Sequence, residues 1–467
     1  MRARKLASVI SLLFAIIACN CAQAQQGYAI KINLETATDT TFYLANYYGD
    51  KFFIADTSHG QPGKALFIGL KPLKQGIYLL ANAKKEKLIE FLVGDEQFFS
   101  ITAGKDDSKP AVVVEGSIDS QLFFEHIALV NDSHRKIQDI KLLLDKSPIS
   151  ETEKNNHLNQ IDSINQSMSD FRMKIISTYP TLLFTKILKA MEDPVIPEEL
   201  KNDQDLAYKY YKSNFWANVD LRDERLILTP LLPMKLKTFF EQLVLPDADS
   251  VIKEVDALLS STNGNEIMLD YLIWHFIAEY QTPKIMGLDK VFVHIVDQYV
   301  AKGMLTNLTP SIENQLLERA GKMRRNLLGL KAPDMWLVDT TDNFRSFNEI
   351  SNQFTVIIFW DQTCGHCKKE METLSKLYQT HTYDLGVYAV NSTNDFEGWK
   401  RYLNEKKYPW LHVNGMKSMT EDFHNLYDIY SVPVIYLLDK KKNIIGKRIS
   451  ADQLSSLMDN YLKIENK

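Results

Sequence analysis

The chain has 467 residues, of which 45% are hydrophobic and 24% are charged, and its formal net charge is −5. This is the composition of a globular protein that can bury a sizeable core, and the length is typical of about three domains. The small negative charge gives no general attraction for nucleic acid, so we expect no nucleic-acid partner.

The first residues predict an export signal. Residues 1–5 are basic, and the apolar run at 6–18 is too short for a comfortable membrane span. Ala22 and Ala24 then fit the small-residue rule for signal cleavage. We therefore assign residues 1–24 to a signal peptide and expect the protein in the periplasm or cell envelope.

A second interpretation of this segment is a bacterial lipobox ending at Cys19, which would then be lipidated and would anchor the chain to a membrane. Cleavage after Ala24 would instead remove Cys19 and Cys21. It would leave Cys364 and Cys367 as the only cysteines. No framework of structural disulfides is then expected.

Residues 25–117 predict a β-sandwich-like domain. Apolar residues alternate with polar ones at Ile30, Ile32 and Leu34, and short runs of this kind recur up to residue 114 between turn sequences. Such spacing is typical of an antiparallel sandwich or half-barrel. No cluster of catalytic residue types occurs in it, so we expect a docking or scaffold role.

Residues 118–328 predict a mostly helical domain, because apolar residues recur at helical spacing from Ile118 onward between proline-containing breaks. Its histidines lack metal-like spacing, so we predict no metal site. The apolar stretch at 267–277 is short and contains Asp270 and His275, which favours a buried helix over a membrane span.

Residues 329–467 predict an α/β domain. An uncharged run of β-branched and aromatic residues at 354–360 is typical of a strand that is covered on both faces, and a helix follows it. A hairpin is predicted at 335–347, further strands at 385–390, 410–413, 435–438 and 444–446, and helices at 396–404, 419–427 and 451–462. The alternation implies a central sheet covered by helices.

Cys364 and Cys367 lie where that first strand passes into its helix. The unsatisfied N–H groups of a helix N-terminus favour the thiolate of Cys364. Cys367 is one turn further along, on the face of Met371 and Leu374, and should point into the core. We therefore expect Cys364 to be the nucleophile and Cys367 the resolving thiol of a redox-active pair.

Several features together resemble the thioredoxin-like domain of the ResA/TlpA family, the exported thiol-disulfide oxidoreductases of bacteria. They are Ala332-Pro333 before the hairpin, Phe359-Trp360 before the turn, Cys364-Gly-His-Cys367 followed by Lys-Lys-Glu370, and Val432-Pro433. The resemblance covers about residues 330–467. The first two domains also resemble, less specifically, the β-sandwich and helical extensions of exported members.

The resemblance implies roles for further residues. Val432 and Pro433 would form a cis-proline loop that pairs with an extended substrate segment. Glu370 matches the glutamate of the ResA-like group and could exchange a proton with Cys367 if burial raises its pKa, since Ile358 stands where thioredoxin has a buried aspartate. No cofactor is implied.

The residues beside the two thiols would tune them. Trp360 precedes the turn, and Gly365 and His366 separate the cysteines. A protonated His366 would favour the thiolate of Cys364 and make the disulfide a better oxidant. The family suggests a reductase and the Gly-His pair a more oxidising or isomerising protein, so the direction of exchange stays open.

The predicted partners are protein thiols and disulfides of the envelope and a membrane-side electron donor or acceptor. We expect the first two domains to position a partner or to mediate self-association. A zinc site would need a second pair of ligands, and a peroxidase would need a Thr-x-x-Cys setting that the segment ending at Cys364 lacks. The alternative from another class is an envelope binding or scaffold protein whose thiol domain is accessory.

Overall fold

The computed structural model describes residues 27–104, 112–145 and 149–465. The predicted signal peptide, with Cys19 and Cys21, lies outside these residues. The chain divides into two compact units, one ending at Leu243 and the other comprising Val244–Lys467. Nowhere in the described ranges is a helix both long enough and apolar enough to cross a membrane.

The described part of the first unit begins with eight strands in two four-stranded sheets. They are β1 (Tyr28–Leu34), β2 (Thr41–Tyr48), β3 (Lys51–His59), β4 (Lys64–Gly69), β5 (Gly76–Asn82), β6 (Lys87–Val93), β7 (Phe98–Ala103) and β8 (Val112–Glu115). The strand orders are β4-β1-β7-β8 and β3-β2-β5-β6. Ile30 and Ile32 are fully buried in a core shared with Phe42 and Leu80 of the other sheet, whereas Lys31 is exposed. The predicted β-sandwich is confirmed.

Helices follow the sheets within the same unit. They are α1 (Ile118–Leu144), α2 (Glu151–Thr178), α3 (Leu183–Met191), α4 (Gln204–Asn214) and α5 (Leu231–Thr238), with 3₁₀ turns at Glu198–Leu200 and Glu224–Leu228 and a π-helical turn at Phe239–Leu243. Ser117 caps α1 by accepting the N–H of Ser120. The buried carboxylate of Asp119 accepts a 2.8 Å hydrogen bond from the N–H of Phe184, which joins α1 to α3.

The second unit opens with more helices, so the helical region continues across the division between the units. They are α6 (Ala248–Ser260), α7 (Glu266–Tyr280), α8 (Asp289–Ile295), which continues as a π-helical turn at Val296–Val300, and α9 (Pro310–Arg324). Leu272 and Ile273 of α7 are fully buried, as the prediction of a buried helix requires.

The α/β part of the second unit has a seven-stranded sheet. Its elements are β9 (Trp336–Asp339), β10 (Phe344–Ser346), a 3₁₀ turn at Phe347–Glu349, β11 (Phe354–Trp360), α10 (Gly365–Gln379), β12 (Leu385–Asn391), α11 (Phe396–Lys406), β13 (Leu411–Ser418), α12 (Phe423–Leu426), β14 (Val434–Leu438), β15 (Ile444–Lys447), a 3₁₀ turn at Ala451–Gln453 and α13 (Leu454–Glu465). The strand order is β10-β9-β13-β12-β11-β14-β15. The predicted class, a β-sandwich, then helices, then an α/β fold, is confirmed.

Strand β11 lies inside this sheet, parallel to β12 and antiparallel to β14. Its seven residues are all buried, because Ile357 and Phe359 enter one core while Val356 and Ile358 enter the core on the other face. The uncharged run in the sequence therefore marks a strand covered on both faces.

One predicted helix is much shorter in the structure. The pattern at 419–427 predicts nine helical residues, but β13 extends to Ser418 and only α12 is helical. The hydroxyl of Ser418 accepts a hydrogen bond from the N–H of Thr420 at 3.0 Å and donates one to the carbonyl of Thr420 at 2.9 Å. This local side-chain turn competes with helical hydrogen bonds and delays the start of the helix.

Candidate active site

The turn after β11 is held by its own side chains. The Asp361 carboxylate accepts hydrogen bonds from the N–H of Thr363 at 2.6 Å and from its hydroxyl at 2.8 Å. The N–H of Cys364 donates to the carbonyl of Asp361 at 3.2 Å. Cys364, which follows this turn, has an extended backbone conformation and is the N-cap residue of α10.

The sulfur of Cys364 takes the place of a capping oxygen. It accepts the N–H of Cys367 at 3.4 Å and is partly exposed. A hydrogen bond with the Cys367 thiol, together with the N–H groups of Cys367 and His366, lowers the pKa of Cys364, while partial burial and the charge of Asp361 oppose this effect. Donors directed at the sulfur favour its charged form.

Cys367 has the opposite environment. It is fully buried among Met371, Leu374 and the core residues of β11. Burial, and next the hydrogen bond with Cys364, raise the pKa of Cys367 to about 12. One sulfur can thus be charged and reached from solvent, and its neighbour is kept neutral and covered.

The Val432–Pro433 peptide bond is cis, as predicted. Its loop faces the cysteines, because the carbonyl oxygen of Val432 lies 4.0 Å from the sulfur of Cys364. A backbone acceptor therefore stands directly beside the partly exposed thiol.

Glu370 lies on α10 and is half-buried. Its carboxylate accepts a 2.6 Å hydrogen bond from the N–H of Ala451, at the chain segment that follows β15. In the described structure no hydrogen bond joins this carboxylate to Cys367, so the proton exchange remains a prediction. Ile358 is fully buried on the same side of the sheet as Cys367.

The other three predicted residues surround the turn. Trp360 is fully buried, with its ring centroid 5.6 Å from that of Tyr402. Gly365 and His366 are exposed at the start of α10. His366 acts on the Cys364 thiol through its backbone N–H. A tuning role for its imidazole stays a prediction.

Sequence reasoning missed a buried amide network beneath the turn. The side-chain oxygen of Gln362 accepts hydrogen bonds from the amide of Asn391 at 2.7 Å and the hydroxyl of Thr393 at 3.1 Å. The amide of Asn414 donates to Asn391 at 3.2 Å. The available signal was the position of Asn391 at the carboxyl end of a parallel strand beside β11, because such ends adjoin the binding edge of a sheet.

Among the described residues, the two cysteines are not part of a metal-binding cluster. In residues 27–104, 112–145 and 149–465, no three His, Cys, Asp or Glu side chains come together in a group that could hold a metal ion. Cys364 and Cys367 are both free thiols in this structure.

A comparison with family models finds two matches in the chain. Residues 352–444 match a thioredoxin-like family, and residues 150–323 match a domain of unknown function named DUF5106. The C-terminal domain is thioredoxin-like. The resemblance inferred from the cysteine motif and its surroundings is thereby confirmed.

The thioredoxin-like domain has curated relatives among thiol-disulfide oxidoreductases. The protein named thiol-disulfide oxidoreductase ResA from Bacillus thuringiensis (strain Al Hakam) is 22% identical over 139 residues, which are 29% of this chain and 77% of that protein. ResA of Bacillus anthracis matches with the same identity and coverage.

Solved structures also match the chain. A domain of a possible thiol-disulfide isomerase from Cytophaga hutchinsonii ATCC 33406 is 38% identical and covers 30% of this chain and 97% of its own, with a TM-score of 0.28. A thioredoxin-like protein from Bacteroides caccae ATCC 43185 is 17% identical and covers 57% of this chain and 97% of its own, with a TM-score of 0.45.

Proposed function

We propose that this protein is an exported thiol-disulfide oxidoreductase that exchanges disulfides with proteins of the cell envelope through Cys364 and Cys367. The observation that carries the proposal is the contrast between the two sulfurs. Cys364 is partly exposed and has a lowered pKa, whereas Cys367 is buried and its pKa is raised to about 12. A nucleophile and a resolving thiol need these two environments.

The exchange proceeds in two balanced steps. The Cys364 thiolate attacks one sulfur of a substrate disulfide, forms a mixed disulfide and releases the other sulfur as a thiolate. Cys367 then loses its proton and attacks the Cys364 sulfur, which releases the second substrate thiolate. The substrate gains two electrons, and the protein is left with a Cys364–Cys367 disulfide. The reverse sequence oxidises a dithiol substrate.

Cys367 needs a proton acceptor in the second step, because its thiol is held neutral by burial. Glu370 is the carboxylate we assign to this role, on the same helix three residues further along. Its hydrogen bond from the Ala451 N–H fixes where the carboxylate lies.

The substrate segment would lie against the loop of Val432 and Pro433. The Val432 carbonyl, 4.0 Å from the Cys364 sulfur, can accept an N–H from an extended chain whose disulfide reaches Cys364. Backbone pairing of this kind tolerates many side chains, which suits exchange with more than one envelope protein.

The sequence of residues 1–24, which carries the pattern of an export signal, supports a proposal for the cellular setting. We propose a periplasmic or cell-envelope location, with electrons supplied or taken up by a membrane-side partner. The sandwich and helices would position that partner or mediate self-association. Mass spectrometry of the mature N-terminus distinguishes cleavage after Ala24 from lipidation at Cys19.

The test is insulin reduction driven by dithiothreitol. We expect the wild-type protein to accelerate it, and we expect Cys364→Ser to abolish the acceleration because no nucleophile remains. Thr363→Ser, within the same turn, keeps the hydroxyl that bonds Asp361, so it is the matched control and should retain activity. Equal rates for wild type and Cys364→Ser would overturn the enzyme proposal in favour of an envelope binding protein.

A further inference from the structure

Residues 447–451, which begin with the last residue of β15, contact both the Glu370 side chain and the loop that carries Val432. The last of these residues, Ala451, donates its N–H to the Glu370 carboxylate at 2.6 Å. Within the segment, the guanidinium of Arg448 donates to the carbonyl of Asp428 at 2.5 Å and to its carboxylate at 3.1 Å. Asp428 lies four residues before Val432, on the loop that faces Cys364. We call residues 447–451 the strap.

The first residue of the strap is a buried lysine. Lys447 is only 5% exposed, and its ammonium forms an ion pair with Asp289, which is 4% exposed. The ammonium also donates to the carbonyl of Asn326 at 2.6 Å. Asp289 begins α8 and Asn326 follows α9. The strap is therefore fastened to the helices of the second unit.

The ion pair between Lys447 and Asp289 is held in place because both side chains are buried. A charge removed from water needs its partner and its hydrogen bonds, so an ammonium inside the protein cannot exchange Asp289 for solvent. The N–H of Lys447 also meets the sulfur of Met286 at 3.3 Å. The side chain of Lys447 is thus held by residues outside the thioredoxin-like domain, while its backbone also pairs with Tyr436 of β14.

We propose that Asp289 and Lys447 are positioning residues for the redox site. Their ion pair fixes the strap, and the strap in turn places the Glu370 carboxylate through Ala451 and the Val432 loop through Arg448. The helices before the thioredoxin-like domain thereby complete the site without contacting the sulfurs. This proposal rests on the proposed function, since it concerns residues that act with Cys364 and Cys367.

The chain offers a matched control in the same hairpin. Lys442 is also buried, at 7% exposed, and donates to the carbonyl of Ile350 at 2.6 Å and the hydroxyl of Thr355 at 2.7 Å. These contacts lie before and within β11, away from the strap. Both Lys442→Met and Lys447→Met remove a buried ammonium. Only Lys447→Met removes the link between the strap and the helices, and it leaves Asp289 without its partner.

The experiment uses the full chain and measures kcat/KM with a peptide disulfide, together with the alkylation rate of Cys364. We expect Lys447→Met and Asp289→Asn each to lower kcat/KM about tenfold, the effect of a 1.4 kcal/mol loss of positioning. Lys447→Arg, which keeps the charge, should recover part of the activity. Lys442→Met should stay within about twofold of wild type at a comparable loss of thermal stability.

The alkylation rate should stay unchanged in every variant, because the groups that lower the pKa of Cys364, the Cys367 thiol and the N–H groups of Cys367 and His366, all lie on its own helix. Equal losses of kcat/KM in Lys442→Met and Lys447→Met would overturn the proposal and leave Lys447 a purely structural residue. Unchanged kcat/KM in Lys447→Met would overturn it as well.

A second measurement separates this proposal from the proposed function. If the wild-type protein shows no disulfide exchange, the proposed function fails, and hydrogen exchange at the Ala451 amide still reports on the strap. We expect that amide to lose protection in Lys447→Met and Asp289→Asn and to keep it in Lys442→Met. Retained protection in all three variants would overturn the strap as a linked element.

Discussion

At the scale of single residues, the two cysteines differ in exposure and pKa because Cys364 caps α10 and Cys367 lies three residues further along that helix. Cys364 ends the turn and meets unpaired N–H groups, whereas Cys367 has entered the hydrophobic core. The same amino acid thus has a lowered pKa at one position and a raised pKa at the next turn. Hydrogen-bond donors and burial, two of the general causes of pKa shifts, act in opposite directions here.

This contrast predicts selective alkylation. With iodoacetamide at neutral pH, Cys364 should react and Cys367 should not, because the reactive form is the thiolate. The pH profile of the Cys364 reaction should have its midpoint below that of a free cysteine, which is about 8.5. Mass spectrometry of tryptic peptides across a pH series measures both. Modification of Cys367 at a rate similar to that of Cys364 in the folded protein would contradict the assignment of roles.

The sequence was most informative about residues whose chemistry depends on local geometry. The order of strand, turn, two cysteines and helix was enough to predict which thiol would be exposed. Partners that come from distant segments were not predictable. Ala451 reaches Glu370 across 81 positions, and Gln362 meets Asn391 across 29, through tertiary packing that no local pattern encodes.

At the scale of elements, helices α1 and α3 are joined through a buried carboxylate that has no counter-ion in hydrogen-bond contact among the described residues. Asp119 is 1% exposed and accepts the N–H of Phe184. Burial raises the pKa of Asp119 to about 6, and the Phe184 hydrogen bond only partly opposes this effect. The contact between the helices therefore depends on pH.

The sign of this dependence follows from proton binding. The folded state holds the Asp119 proton more tightly than the unfolded chain, so its contribution to stability is complete below pH 4 or so and is lost as the pH rises through about 6. Between these limits the loss is on the order of 3 kcal/mol. Asp119→Asn should flatten the fall in the free energy of unfolding of the first unit over this range.

Urea unfolding of the full chain from pH 4 to pH 7 measures this effect, with pulsed proteolysis to follow α1. The exposed Asp139 lies on the same helix, so Asp139→Asn is the control and should leave the pH dependence unchanged. An Asp119→Asn profile parallel to that of the wild type would rule out Asp119 as its source.

Among the elements, the predictions succeeded where one pattern dominated and failed where two competed. The buried strand β11 and the buried helix α7 are both recognisable from uninterrupted apolar residues. The region at 419–427 carries helical spacing, but Ser418 and Thr420 form a side-chain turn that takes the place of the first helical bonds. Such a competition is decided by the tertiary position of β13, which the sequence alone does not supply.

At the scale of the whole molecule, the chain is organised as two compact units, whereas the sequence suggested three domains after the signal peptide. The domain boundaries at 117/118 and 328/329 stay predictions. The change of pattern from helical to α/β near residue 329 is real, but α6 to α9 belong to the same unit as the sheet. Periodicity reports the type of an element and carries no information on which neighbour it packs against.

This organisation predicts how fragments behave. A fragment of residues 244–467 keeps Asp289 and Asn326 beside Lys447, whereas a fragment of residues 329–467 lacks both and leaves the Lys447 ammonium in water. The shorter fragment therefore loses the ion pair and the hydrogen bond that link the sheet to the helices. We expect it to melt about 4 °C below the longer fragment, the effect of a loss of about 1 kcal/mol.

Lys447→Met in the longer fragment is the control, because it removes the same ion pair while keeping the helices, and it should also lower the melting temperature. Thermal unfolding followed by circular dichroism measures all three fragments. Equal melting temperatures for the two unmodified fragments would show that the helices do not support the sheet.

The capping sulfur of Cys364 couples the reduction potential of the protein to its folding stability. It accepts the Cys367 N–H at the start of α10, and a thiolate is a stronger acceptor than a disulfide sulfur. Folding and oxidation form a closed thermodynamic cycle, so whatever free energy the reduced fold gains at this cap is the free energy by which folding disfavours the disulfide. About 30 mV of reduction potential corresponds to about 1.4 kcal/mol of folding stability. A calorimeter that compares the stabilities of the reduced and oxidised proteins therefore measures the same quantity as the difference between the reduction potentials of the folded and unfolded chains.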